Sequence, residues 1–258
     1  MDPGGGQVHH CAVSANADSD QWAHIRIFQL RRISGMVCAA TAVAPMDGAS
    51  DISRDGGRWQ RWAMVGTDFD WFGEALPAQS ERDHITDVLF ARTRSAADAG
   101  ARLIVWNEVS NIIFPAEEQH MLKRAAAVAR EYNSEVVMSF LVALEVSPLR
   151  VENKLIRVAP NGEVADIHLK QKRVPGEPSV RGTAASQVTD SAIGRLGGAI
   201  CYDFDFPQVA RQLAVDRTDI AYVPSSGNQA QNGERASESA GEREEQAEKG
   251  VRSERAGR

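Results

Sequence analysis

Cysteine is scarce in this chain. Its three copies among 258 residues, Cys11, Cys38 and Cys201, are odd in number and far apart, which fits neither a disulfide framework nor a zinc site with close ligand spacing. A reducing compartment, the cytoplasm, is therefore the default location. His9 and His10 beside Cys11 do not change this, because three adjacent residues cannot all face one ion in regular structure. No metal and no cofactor is expected. Long apolar runs are missing as well: the best candidate, Gly35 to Ala44, is about half the roughly 20 residues needed to span a bilayer. Arg31 and Arg32 precede it, so it enters only as a signal-like or severed membrane segment. Charge of one sign is not concentrated anywhere in the main body, and a formal net charge of -6 gives no electrostatic case for nucleic acid or an anionic membrane surface. The triplet Gly4–Gly6 lacks the strand and helix that a phosphate loop requires around it.

What is present suits one sizeable α/β domain, with 43% hydrophobic residues, an ordinary globular value. Residues 1–57 show no sustained period beyond a short helix near Trp22 to Leu30, and read as a poorly structured leader or the remnant of an upstream region. Arg61 to Thr67 opens the folded domain as a strand. Ser80 then caps a helix to about Ala99, with Asp83 at the capping-box position, and Gly100 ends it. The run ARLIVW, Ala101 to Trp106, has the continuous apolar character of a strand buried on both faces. A second helix begins at Pro115, carries Glu117 and Glu118 in its first turn and ends near Asn133. Glu135 to Leu144, Val151 to Ala159 and Val164 to Leu169 are strands, the last two flanking Asn161-Gly162, a dipeptide favoured in two-residue hairpin turns. Gly194 to Ile200 is a further strand, followed by a helix from about Pro207 to Asp216 and a strand Ile220 to Val223. Helices thus cover a mainly β interior. From Gly227 onward Glu and Arg alternate and only Ala and Val251 are apolar, a composition that reads as a charged disordered tail.

Three reactive groups sit just past three strands: Glu108 after ARLIVW, Lys170 after VADIHL, and Cys201 after LGGAI. Sites in α/β sheets form at the carboxyl ends of strands. The junction before the Pro207 helix is expected to bias the Cys201 thiol towards thiolate. Together the groups suit acyl transfer through a thioester. The glutamate serves as base and then acid, the ammonium stabilises the oxyanion, and the Tyr202 N–H is a second donor.

The words LIVWNE around Glu108, HLKQKRVPGEP around Lys170 and GGAICYDFDFPQVARQLA around Cys201 resemble the nitrilase or carbon-nitrogen hydrolase superfamily, over about Trp59 to Ser226. The resemblance implies a four-layer α-β-β-α sandwich over residues 58–226. It also implies a triad of Glu108 as general base and acid, Lys170 as oxyanion stabiliser and Cys201 as nucleophile. Glu177, in VPGEP, takes the place of an additional glutamate that orients lysine or substrate. Lys172 is the rival to Lys170, because it too stands close before VPGEP. The wording VPGEP and CYDFDFP is most similar to the apolipoprotein N-acyltransferase branch, in which a membrane domain precedes the catalytic one.

The implied activity is hydrolysis of a small-molecule amide, or transfer of its acyl group, with homo-oligomerisation left open. Membrane association follows only if an upstream membrane domain has been lost. The matching text stops near Ser226, so the C-terminal part of the second sheet is expected to be missing, and a catalytically inactive truncated remnant is the alternative. A cysteine protease pairing Cys201 with His168 is a third reading, since His168 shares a strand face with Lys170.

Overall fold

Strands dominate the middle of this sequence because β-branched and apolar residues recur there in short runs between turn formers. The computed structural model describes residues 61–67 and 76–226 in full, and as backbone the strand stretches 10–12, 25–33, 36–42, 49–55 and 58–60. In chain order these begin with β1 (His10–Ala12), β2 (Ile25–Ile33), β3 (Met36–Ala42), β4 (Ala49–Asp55), β5 (Arg58–Val65) and helix α1 (Gln79–Asp98). Next come β6 (Leu103–Trp106), β7 (Ile112–Ile113), α2 (Pro115–Tyr132), β8 (Glu135–Val146), β9 (Leu149–Val158) and β10 (Val164–Leu169). The series closes with β11 (Thr189–Ser191), β12 (Gly194–Gly198), a one-turn 3-10 helix (Cys201–Asp205), α3 (Pro207–Val215) and β13 (Ile220–Pro224).

Two sheets result. One runs β10-β9-β8-β6-β5-β4 with β7 alongside β8, and the other runs β1-β3-β2-β13-β12-β11. Strand alternation decides which side chains meet. Trp62, Met64, Leu103, Val105, Val137 and Leu155 of the first sheet face Leu196, Ile200, Ile220 and Tyr222 of the second. Their neighbours Ala63, Val65, Ile104, Trp106, Val136 and Met138 point the other way, onto Leu89 and Phe90 of α1 and Ala125 and Val128 of α2. Ala221 and Val223 pack against Leu213 of α3 on the outer face of the second sheet. The result is a four-layer α-β-β-α sandwich, as the sequence led us to expect. Both faces of β6 are covered, which is why its text is apolar throughout. Trp106 meets Phe90 edge-on at 5.1 Å between centroids and donates its indole N–H to the Thr93 hydroxyl at 2.9 Å.

Away from the strand ends, an ion pair is buried deep in the interior. Arg157 Nη1 lies 2.9 Å from Glu135 Oε2, and Ser191 donates to the other Glu135 oxygen at 2.6 Å, so residues of β8, β9 and β11 are joined. Both charges are withdrawn from water, and they are tolerable there only because each has its partner.

Several expectations are corrected. The segment read as a helix near Trp22 to Leu30 is strand at Ile25–Ile33, paired with both β3 and β13. Its text IRIFQLRRI is rich in β-branched and aromatic residues, and neighbours on both edges satisfy its backbone groups. Three more strands, β1, β3 and β4, lie within residues 1–57, where no further element was expected, and the Gly35 to Ala44 run is largely β3. Ser80 is not the cap of α1. That helix starts at Gln79 with Ala78 before it and no side-chain cap. Its first turn is held by Arg82, which donates to Pro77 O at 2.7 Å and pairs with Glu117 of α2 at 2.9 Å. The β9–β10 turn has three residues, Pro160 to Gly162, not two: Ala159 pairs with Glu163, and Gly162 donates to Ala159 O at 2.7 Å. Gly162 takes φ +79° there, which a side chain would resist. The short strands β7 and β11 were not anticipated. The charged tail and His9 lie outside the described residues. Among those described, no helix is long and apolar enough to cross a membrane.

Candidate active site

β6 and β10 run in the same direction within the first sheet, and β12 and β13 lie parallel in the second. Their carboxyl ends share one edge of the sandwich. Glu108 follows β6, Lys170 follows β10, Cys201 stands three residues past β12, and Ser225 and Ser226 follow β13. The backbone sets each in place. Asn107 donates to Val65 O at 2.9 Å, and Lys170 is held between Asn153 O and the Gly182 N–H, at 2.9 and 2.8 Å. A β-carbon on Gly182 would come within 2.1 Å of Leu169 O, so only glycine lets this loop lie against the strand end.

The side chains converge. Lys170 Nζ lies 2.8 Å from Glu108 Oε1 and 2.9 Å from Glu177 Oε2. Asn153 donates to both carboxylates, at 2.9 and 3.1 Å. The second Glu108 oxygen accepts the Ser226 N–H and hydroxyl, both at 2.9 Å. The Cys201 thiol stands close enough to Glu108 and Lys170 to feel the charge of both. Lys170 is 3% exposed and Glu108 2%, whereas Glu177 is 17% exposed and forms the outer wall of the group. Glu108, Lys170, Glu177 and Cys201 are thus brought together.

Lys172 is not among them. Its ammonium sits over the Phe206 ring, 4.9 Å from the centroid. His168 is buried, but its Nε2 faces Asp203 Oδ2 at 3.1 Å. The imidazole is thereby committed to a carboxylate rather than to the sulfur. Tyr202 follows Cys201 in the 3-10 turn, its ring edge-on to Phe206 at 5.2 Å.

Electrostatics differ from expectation at the thiol. Burial pushes the Cys201 thiol up, the Glu108 carboxylate adds to this, and the Lys170 ammonium only partly opposes it, giving about 12. A thiolate bias presumed that the α3 helix begins at the sulfur, but a single 3-10 turn intervenes and Cys201 itself adopts φ +44°. Burial works against the Lys170 charge, yet Glu108 and Glu177 outweigh it and hold the ammonium above the usual lysine range. Glu177 is likewise burdened by burial, but Lys170 beside it, with Asn153 and the Val174 N–H, keeps its carboxyl below the usual glutamate range. The resting arrangement is a neutral thiol next to one ammonium flanked by two carboxylates.

Asn153, Ser225, Ser226 and Asp203 were not singled out from the sequence. An asparagine amid the apolar text of β9 and a serine pair directly after a strand were the available signals. Next to the site, a cavity of about 380 Å³ is lined by Lys172, Arg173, Arg181, Gly176, Glu177 and Phe206, among others. Among the described residues no group of His, Cys, Asp and Glu side chains could hold a metal ion.

The sandwich, with acid, lysine and cysteine gathered at one strand-end edge, defines the class: a nitrilase-like α/β protein. Residues 43–247 match the carbon-nitrogen hydrolase family, and the chain belongs to it. Solved structures share the fold. The carbon-nitrogen hydrolase from Helicobacter pylori is 16% identical, with a TM-score of 0.50 over 63% of each chain. A variant of the amidase from Nesterenkonia sp. in complex with acrylamide is 20% identical, with a TM-score of 0.50 over 64% of each chain. Another variant of that amidase is 19% identical, with a TM-score of 0.51 over 66% of this chain and 67% of the other. The chain spans 63% of the length of the Helicobacter protein.

Proposed function

We propose that this protein cleaves the C–N bond of a small amide through a thioester on Cys201. The observation that supports the reading is the contact set at one buried point: Lys170 bonded to Glu108 and Glu177, with the Cys201 sulfur beside the same Glu108. Since the thiol rests protonated, the attack is coupled to proton transfer. Glu108 takes the S–H proton as sulfur bonds to the carbonyl carbon, and the carbonyl π pair moves onto oxygen, where the Lys170 ammonium and the Tyr202 N–H receive it. The C–N bond then breaks as Glu108 returns the proton to the leaving amine. Water attacks the thioester, giving its proton to Glu108 and then to sulfur, and the carboxylic acid leaves. An amine in place of that water would give acyl transfer. The four acceptor positions of Glu108 are occupied by Lys170, Asn153 and the two Ser226 donors, so a donor must yield to the thiol proton. The rotatable Ser226 hydroxyl is the one able to do so.

The cationic lining of the neighbouring cavity supports a substrate with an anionic group beyond its amide. Lys172, Arg173 and Arg181 contribute three positive charges, and the one carboxylate in the lining, Glu177, is already paired with Lys170. The test is ammonia release from matched amides with and without a terminal carboxylate. Preference for the carboxylate is expected, and Arg181→Ala should raise KM for that substrate about fivefold, the worth of an exposed charge pair, while leaving the neutral amide unaffected. No ammonia from any amide, with the thiol intact, would overturn the hydrolase reading.

A further inference from the structure

Nucleophile and lysine come from different sheets, β12 and β10, so their relative position has to be set by something that spans the two. Asp203 does this. It is fully buried and lies two residues past Cys201. One of its oxygens accepts the N–H groups of Gln171 and Lys172, at 2.9 and 2.6 Å, which are the two residues after Lys170. The other accepts the Ile200 N–H at 3.3 Å and faces His168 Nε2 at 3.1 Å. The Asp203 N–H in turn donates to Ile200 O at 2.9 Å, closing the turn that carries the sulfur.

The partners therefore bracket both reactive residues: 168, 171 and 172 around Lys170, and 200 beside Cys201. A carboxylate accepting several N–H groups is a strong, charge-assisted anchor, and a wholly buried one is tolerated only because each oxygen is satisfied. Nothing in the thioester chemistry uses either group directly. The turn they secure is also strained, since Cys201 holds φ +44°, a conformation that persists only where its surroundings enforce it.

We propose that Asp203 is a positioning residue that fixes the Cys201 turn against the Lys170 loop, with His168 keeping its carboxylate in register. The proposal rests on the cysteine and lysine reading above, and its test includes a readout that needs no turnover. In the full chain, iodoacetamide alkylation is followed against pH on the Cys201 peptide by mass spectrometry, alongside kcat and KM for an amide that the protein cleaves.

Wild-type alkylation should still be rising at pH 10, because the thiol sits beside Glu108 in a buried site. In Asp203→Ala the turn is released, and the profile should level off near the ordinary thiol value of about 8.5. Its kcat should fall about 100-fold, the cost of roughly an ångström of misplacement, with KM changed less than about threefold. In Asp203→Asn one oxygen still accepts the Gln171 and Lys172 N–H groups and the amide can donate to the other His168 tautomer, so that only the long Ile200 N–H bond is lost. That variant should keep the wild-type profile and lose less than about tenfold in kcat.

A folded Asp203→Ala protein with wild-type profile and kcat overturns the proposal, as does Asp203→Asn matching Asp203→Ala. If Asp203→Ala does not fold, His168→Ala decides: a lowered profile with reduced kcat supports the proposal, and lowered thermal stability with both unchanged overturns it. Where even the wild type cleaves no amide, the alkylation profiles still decide the positioning role, so the two failures are separable.

Discussion

Cys201→Ala is expected to lower amide turnover by about ten-thousand-fold or more, as removal of a covalent nucleophile does elsewhere, while leaving the sandwich folded. Cys201 is half-buried and packs only against the margin of the inter-sheet core, so losing its sulfur trims one contact and leaves the fully buried layer from Trp62 to Tyr222 in place. Alanine inherits the same φ of +44°, so the strain is unchanged. Glycine adopts that conformation freely, and Cys201→Gly should be the more stable of the two by about 1 kcal/mol while equally inactive. Thermal unfolding with parallel activity assays checks both statements. Full activity in Cys201→Ala would remove the thioester from consideration.

Glu108→Gln separates the base from the nucleophile. Loss of the group that receives and returns the proton is expected to cost about 100- to ten-thousand-fold in turnover. The sign of the accompanying change at sulfur follows from the charges. In the resting site, burial and the Glu108 carboxylate both raise the thiol and Lys170 lowers it, giving about 12. Glutamine removes one of the two raising influences and leaves the ammonium, so the thiol pKa must fall. The variant should therefore alkylate faster than wild type at neutral pH while hydrolysing far more slowly. An inactive variant with unchanged alkylation would mean that Glu108 does not act on the sulfur.

The fold was legible where one strand face or both were buried. ARLIVW and LGGAI are short apolar texts, and VADIHL follows a turn signal at Asn161-Gly162; each contains or overlaps a strand with a reactive residue beyond its end. Legibility failed at Ile25–Ile33, where Gln29 and three arginines break the apolar pattern and the strand is secured by partners remote in sequence, β3 and β13. Propensity is a local quantity and cannot report such partners. The four converging side chains were readable because chemistry restricts them to few residue types. Asn153 and Asp203 were not, since what distinguishes them is the number of hydrogen bonds they donate or receive between segments remote in sequence, which only the folded chain brings together. The thiol was misjudged for a related reason. A helix start was legible at Pro207, but the 3-10 turn that separates it from Cys201, and the depth of burial, were not.

The central claim is a covalent intermediate at one sulfur atom. Rapid quenching of the wild-type protein with a slowly hydrolysed amide, followed by intact and peptide mass analysis, tests it most directly. An added mass equal to the acyl group, mapped to Cys201, removed by hydroxylamine and absent in Cys201→Ala, is the predicted result. Ammonia release without any such adduct, or an adduct on another residue, would contradict it.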